Sequence, residues 1–289
     1  MNDQTKGVLL TIMGVLFIVP DSLFIRLLSA DVYTIIFWRG FCSGILILVG
    51  LVAYHRSNVL NVFRNIGTNA MWYGFFLAIS GPMFALSVNL TAVSNTVFII
   101  ATMPVFSAIS SWFLIGERIS RRMVSTIFFA LCGIALIAFG SAQDAATSVW
   151  GDLLAVGCAA SFGTALTFAR RSKASSMIPV TPLALIASSM FFLPFATPLV
   201  FNGIDAPLVL VHNLLIAIST CLLAVSPRYI TSAEVALLIL GESILAPILV
   251  WAVIGENPGD WALVGGAIVL VTLFVSNIIA LRRRRKIAE

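Results

Sequence analysis

Charged side chains inside long apolar runs are the features of this sequence most able to do chemistry. A charge there must be paired, protonated or turned towards a wet cavity. Glu242 lies mid-way along the apolar run that begins near Ala233, next to Ser243. Asp21 lies two-thirds of the way along the first run, and Arg39 a few residues inside the second. Glu242 is the leading functional acid; the competing reading is a protonated Glu242 bonded to a neighbouring Ser or a backbone carbonyl. Asp21 is placed to pair with Arg39, as a brace or as a gate, and breaking such a pair is what would cost. If Glu242 or Asp21 titrates during a cycle, protons are a partner; if neither does, a facilitator follows.

Ser80, Asn95, Ser161 and Ser219, with Asn89, are polar groups within or beside apolar runs, able to hydrogen-bond a ligand or to join helices for about 0.6–2 kcal/mol each. Phe162 and Trp72 could form an aromatic wall for a planar ligand. Pro104 and Pro247 fall inside runs, as do Pro20, Pro82 and Pro194; each removes a backbone donor, so Pro104 and Pro247 are hinge candidates. Gly40 and Gly44 form a G-x-x-x-G face suited to close helix contact. The four cysteines form no C-x-x-C pair, and His55 and His212 fall near expected helix ends. No metal or cofactor is expected, and an enzyme would have poor material for a catalytic set.

These residues need elements that position them, and composition says what those are. Of 289 residues, 60% are hydrophobic and 10% charged, against about 25% charged in a soluble domain. Hydrocarbon about 30 Å thick needs roughly 20 apolar residues in helical form. Ten such runs are expected, at 7–28, 33–54, 69–88, 92–115, 123–140, 150–170, 182–201, 208–228, 233–254 and 261–281. The run after Lys6 holds Asp21 and Arg26 and lacks a cleavage site, so it reads as a spanning helix rather than a signal peptide.

The net charge of +5 does not point to nucleic acid, because the basic residues sit in the joints. With the N-terminus inside, Lys6, Arg56, Arg64, Arg118, Arg121, Arg122, Arg170, Arg171, Lys173, Arg228 and the tail at 282–286 are cytoplasmic, and only Arg26 and Arg39 lie outward, a split of 15 against 2. Asp31, Asp144, Asp205, Glu256 and Asp260 fall to the outer joints. Both termini are then cytoplasmic.

Residues 78–117 align without a gap on 217–256 with eleven identities in forty, including W-x-x-I-G-E twice. The first run aligns more weakly on the sixth through Gly7/Gly151, Leu9/Leu153, Leu10/Leu154, Phe24/Phe168 and Arg26/Arg170. The halves are therefore 1–143 and 144–289, five helices each. Five is odd, so they cross in opposite senses, which makes an inverted repeat and suits a midplane site reached by alternating access. Glu117 and Glu256, at opposite faces beside glycines, read as helix-end residues.

The chain resembles the drug/metabolite transporter superfamily, and within it the ten-helix EamA-type carriers. The resemblance rests on the two halves, the Phe37-Trp38-Arg39-Gly40 start of the second helix, the Gly116-Glu117 and Gly255-Glu256 closings, and Met103-Pro104 with its Glu242-Ser243 counterpart. It implies secondary transport of a small metabolite across a bacterial inner membrane, often export of amino acids. Met103 opposite Glu242 departs from chemical symmetry and excludes a symmetric pair of coupling carboxylates there. The expectation is an all-α amino-acid exporter for which a monomer suffices. Uptake of a vitamin, sugar, organic acid or drug is the alternative, with an embedded enzyme or a channel further off.

Overall fold

The computed structural model describes residues 3–64, 66–116, 121–143, 147–171, 177–197, 205–226, 229–230 and 232–288. Glu117, Arg118, Asp144, Lys173 and Arg228 lie outside the described residues, as do the side chains of Arg170, Asp205 and the basic tail. The described residues contain helices and no strand: α1 (Asp3–Ile18), α2 (Asp21–Leu27), α3 (Val32–His55), α4 (Val59–Arg64), α5 (Thr68–Leu90), α6 (Val93–Ile100), α7 (Met103–Ile115), α8 (Arg121–Gln143), α9 (Val149–Arg171), α10 (Val180–Phe192), α11 (Asp205–Val225), α12 (Ser232–Ile254) and α13 (Asp260–Ala288).

Seven stretches among the described residues are long and apolar enough to cross a membrane, and the apolar helices at Val180–Phe195, Leu238–Ile254 and Asp260–Ser276 are shorter. Two of the seven, Gln4–Leu27 and Val93–Ile115, are built from two helices each, α1 with α2 and α6 with α7. The first break falls at Val19–Pro20. The second falls at Ala101–Thr102, just before Pro104, where the Thr102 hydroxyl donates to the Ile99 carbonyl at 2.6 Å and competes with the helix. Proline does not decide this alone, since α5 continues through Pro82 and α12 through Pro247. The expected run at 182–201 is shortened: α10 stops at Phe192 and a 3-10 turn, Leu193–Phe195, contains Pro194. Proline lacks the donor that would continue the helix and disfavours helical backbone in the residue before it.

Local chemistry sets the other ends. Asp31 caps α3, its carboxylate accepting from the Tyr33 and Thr34 amides. The two W-x-x-I-G segments close α7 and α12 alike: Gly116 at φ +75° and Gly255 at φ +71° donate their amides to the Trp112 and Trp251 carbonyls. Left-handed backbone is what a glycine tolerates at a helix end.

Packing pairs α3 with α10, α8 with α13, α5 with α9 and α1 with α11, while α6 and α7 lie on α9 and α12 on α1. Small residues permit the close approaches. A Cβ on Gly40 would meet the Leu185 carbonyl at 2.7 Å, and one on Gly44 the Ile186 side chain at 2.7 Å. Gly133 and Gly265 face each other the same way across α8 and α13. Gly7 rests on Tyr229 and Ile230, and Gly151 rests on Thr91. These are corresponding positions in the two sequence alignments. Large apolar side chains such as Phe113, Trp150 and Phe191 are exposed around the bundle.

Candidate functional site

The interior polar cluster grows from the break after α1. Because the chain stops being helical at Val19–Pro20, Asp21 begins α2 in the interior, 3% exposed. Arg39 on α3 grips it at two points, Nε to Oδ1 at 3.1 Å and Nη2 to Oδ2 at 2.6 Å. His212 on α11 adds a third contact, Nε2 to Oδ1 at 2.6 Å. Its ring stacks on Phe24 at 5.1 Å. The Arg39 guanidinium also lies over the Phe84 ring, 5.4 Å from its centroid, a cation–π contact.

Glu242 on α12 is half-buried and close enough to feel both Asp21 and Arg39, as does the Cys158 thiol on α9. Among the described residues none donates a hydrogen bond to Glu242. The cluster thus draws α2 and α3 from one half of the chain and α11 and α12 from the other. Beside Arg39 a crevice lined by Gly40, Ala78, Gly81, Pro82 and Ser188 has room for about one water molecule.

His212 corrects the sequence reading. It is not a residue at a helix end but a fully buried one within α11, 1% exposed and bonded to a carboxylate. A lone imidazole in an apolar run needs a partner, and that was the available signal.

Among the described residues, the other expected site residues share no hydrogen bond with Asp21, Arg39 or His212 and make contacts of their own. The Ser80 hydroxyl donates to Leu77 O at 2.9 Å within its own helix. Ser219 donates to Gly14 O at 2.8 Å and Ser243 to Val97 O at 3.1 Å, each joining two helices. Ser161 is half-buried and Asn89 exposed. Trp72 stacks on Phe168, ring centroids 6.1 Å apart, and Phe168 on Phe76 at 5.9 Å; Phe162 packs against the same core as Phe168 and Phe76 without stacking on them. Pro104 starts α7 beside the break, and Pro247 lies within continuous α12.

Asn95 belongs to a different group, at the end of the bundle where α12 finishes. It donates to Ser141 Oγ at 2.8 Å and to Thr91 Oγ1 at 3.2 Å. Thr91 Oγ1 in turn donates to buried Asp152 at 3.0 Å. Nearby, Arg26 Nε lies 3.0 Å from Glu256 Oε2, an ion contact not aligned as a hydrogen bond, and Nη2 donates to Thr91 O at 2.9 Å. Glu256 also accepts from the Val93 amide at 2.7 Å, so it closes this end as a helix-end residue. Asp31 lies in the joint before α3. Partial burial pushes its carboxyl up, but hydrogen bonds from the Thr34 side chain and amide, Thr197 and Tyr33 outweigh that and hold it below the usual carboxylate range.

Residues 5–139 match the EamA-like transporter family. The match lies within the first half of the chain. That family is one of membrane transporters of small molecules, and the described residues agree with it in being helical, with seven stretches long and apolar enough to cross a membrane. Thirteen chains of solved structures match this chain. One, described only as a crystal structure of a protein, superposes with a TM-score of 0.65 at 18% identity, over 96% of this chain and 99% of its own. That likeness carries the fold alone. No curated protein matches.

Proposed function

We propose that this EamA-like protein exports an amino acid, or a related amphipathic metabolite, across a bacterial inner membrane by alternating access between two inverted halves, 1–143 and 144–289. The observation that carries the reading is the interior cluster of Asp21, Arg39, His212 and Glu242, to which both halves contribute. Buried charges are costly and are kept where they serve a substrate or ion path. An amino acid bears one charge of each sign. Arg39 offers guanidinium edges to a carboxylate, and Glu242, with no hydrogen bond from a described residue, offers a carboxylate to an ammonium group or a proton.

The paired glycine contacts, Gly7 on Ile230 and Gly151 on Thr91, and the twin helix endings at Gly116 and Gly255 support the two-half reading. With the N-terminus cytoplasmic, the Arg26–Glu256 end faces outward and is held shut by an ion contact. The crevice at Arg39 is too small for an amino acid, so substrate entry requires the halves to part. One chain supplies both halves, and a monomer suffices.

Counterflow of labelled amino acids in proteoliposomes, with and without a pH gradient, tests this. Saturable counterflow of one amino acid is expected, and Glu242→Gln should abolish its response to the gradient. Silence across the amino-acid panel with flux of a vitamin, sugar or organic acid would transfer the site to that substrate. Non-saturable flux would make the protein a channel.

A further inference from the structure

Asp152 is the buried acid that the central cluster does not use. It lies in the first turn of α9 and is 2% exposed. One carboxylate oxygen accepts the Thr91 hydroxyl at 3.0 Å, while the other, Oδ2, has no hydrogen-bond partner. No Lys, Arg or His among the described residues pairs with it. Arg26, the nearby cation, spends its charge on Glu256 and on the Thr91 carbonyl.

What surrounds Asp152 is oxygen-rich and dry. Thr91, Asn95 and Ser141 are 1%, 4% and 4% exposed, and Thr91 bonds the carboxylate directly. The Asn95 amide ties Ser141 to Thr91. An amide that turns over presents its oxygen instead of its NH2. The group then offers five side-chain oxygens from four residues: two from Asp152 and one each from Thr91, Asn95 and Ser141. Thr91 caps the C-terminal end of α5, and Ser141 lies in the last turn of α8. Helix C-termini carry partial negative charge and favour a cation.

We propose that Asp152, Thr91, Asn95 and Ser141 hold a sodium ion near the Arg26–Glu256 end of the bundle. A hard monovalent cation suits oxygen ligands and no nitrogen or sulfur, and it would neutralise the one buried carboxylate here that lacks a cationic partner. The ion links α5, α6, α8 and α9 beside the ion contact that closes the same end. The site is independent of the transported substrate: it stands whether or not amino acids are carried.

Thermal unfolding of the purified full-length protein in NaCl against choline chloride, at equal ionic strength and pH, tests it. The wild type should gain unfolding temperature saturably with sodium and not with choline. Asp152→Asn should lose the response, and Ser141→Ala, which keeps the carboxylate, should need at least tenfold more sodium for the same gain. Should Asp152→Asn fail to fold, the Ser141→Ala shift decides. Identical unfolding in both salts overturns the site, as does an unchanged sodium response in either folded variant. Stabilisation by acid in place of sodium, lost in Asp152→Asn, would make Asp152 a proton site and likewise overturn it.

Discussion

In the first half of the chain two membrane-length stretches are interrupted, at Val19–Pro20 and at Ala101–Thr102, whereas their counterparts in the second half, α9 and α12, run without a break. The aligned residues explain much of this. Pro20 corresponds to Thr164, whose hydroxyl donates to Ala160 O at 2.8 Å within an intact helix. Pro104 corresponds to Ser243, which donates across to Val97 O. Where the first half loses a backbone donor, the second keeps the donor and adds a hydroxyl. Interrupted helices at membrane depth are tolerated where the freed backbone is buried in protein or lines a wet path. The first half thus contributes a break and the braced pair Asp21–Arg39, and the second contributes His212 and Glu242 from unbroken helices. The two aligned stretches differ in backbone continuity and in the side chains they bring to the cluster.

The largest effect expected from this difference separates Arg39 from Glu242. Arg39→Ala strands a buried Asp21 carboxylate that the guanidinium now holds at two points. Removing one partner of such a pair costs about 3–5 kcal/mol. Thermal unfolding in detergent should register a large fall. Glu242→Gln breaks no hydrogen bond from a described residue, so its unfolding should shift far less than that of Arg39→Ala while transport fails. A Glu242→Gln protein as unstable as Arg39→Ala would show that both halves are braced alike.

A middle-sized effect separates the two prolines once grouped as hinges. Pro247 lies within α12, so Pro247→Ala restores a donor for the Ser243 carbonyl. A gain of about 1 kcal/mol is expected. Pro104 sits in the first turn of α7, where amides have no partner within that helix. Pro104→Ala should leave stability within about 0.5 kcal/mol. A gain from Pro104→Ala equal to that from Pro247→Ala would mean that the variant had healed the break, and transport rates would then show whether the break is needed.

Much of this architecture is legible in the residues. Apolar run lengths predict the helices, the depths of Asp21 and Arg39 predict their pairing, and Gly40 and Gly44 predict close contact with another helix. What is not legible is long-range partnership. His212 meets Asp21 across 191 residues, Arg26 meets Glu256 across 230, and Asp152 meets Thr91 across 61. Hydropathy treats all these positions alike, and nothing local says which helices become neighbours. The breaks are only half legible, because Pro82 and Pro247 look no different in sequence from Pro20 and Pro104. The outcome depends on competing side chains such as Thr102 and on neighbours that re-satisfy the backbone.

The smallest effect concerns the joint before α3, at Asp31. Its carboxylate accepts from Tyr33 and Thr34 on α3 and from the Thr197 hydroxyl at 2.9 Å, beyond α10, so it ties the ends of two helices that belong to different halves. Because these bonds depress the folded-state pKa below its unfolded value, the stabilisation is present above the ordinary Asp range and is lost as pH falls through the depressed value. Asp31→Asn should therefore lower the unfolding temperature slightly near neutrality, and the difference from wild type should shrink as the medium is acidified below about pH 4. Asp31 is exposed and well solvated, so screening by water keeps the effect small. A wild-type to Asp31→Asn difference that grows on acidification would reverse the sign and place the tie between the halves elsewhere, at the Thr34–Thr197 contact, which carries no charge.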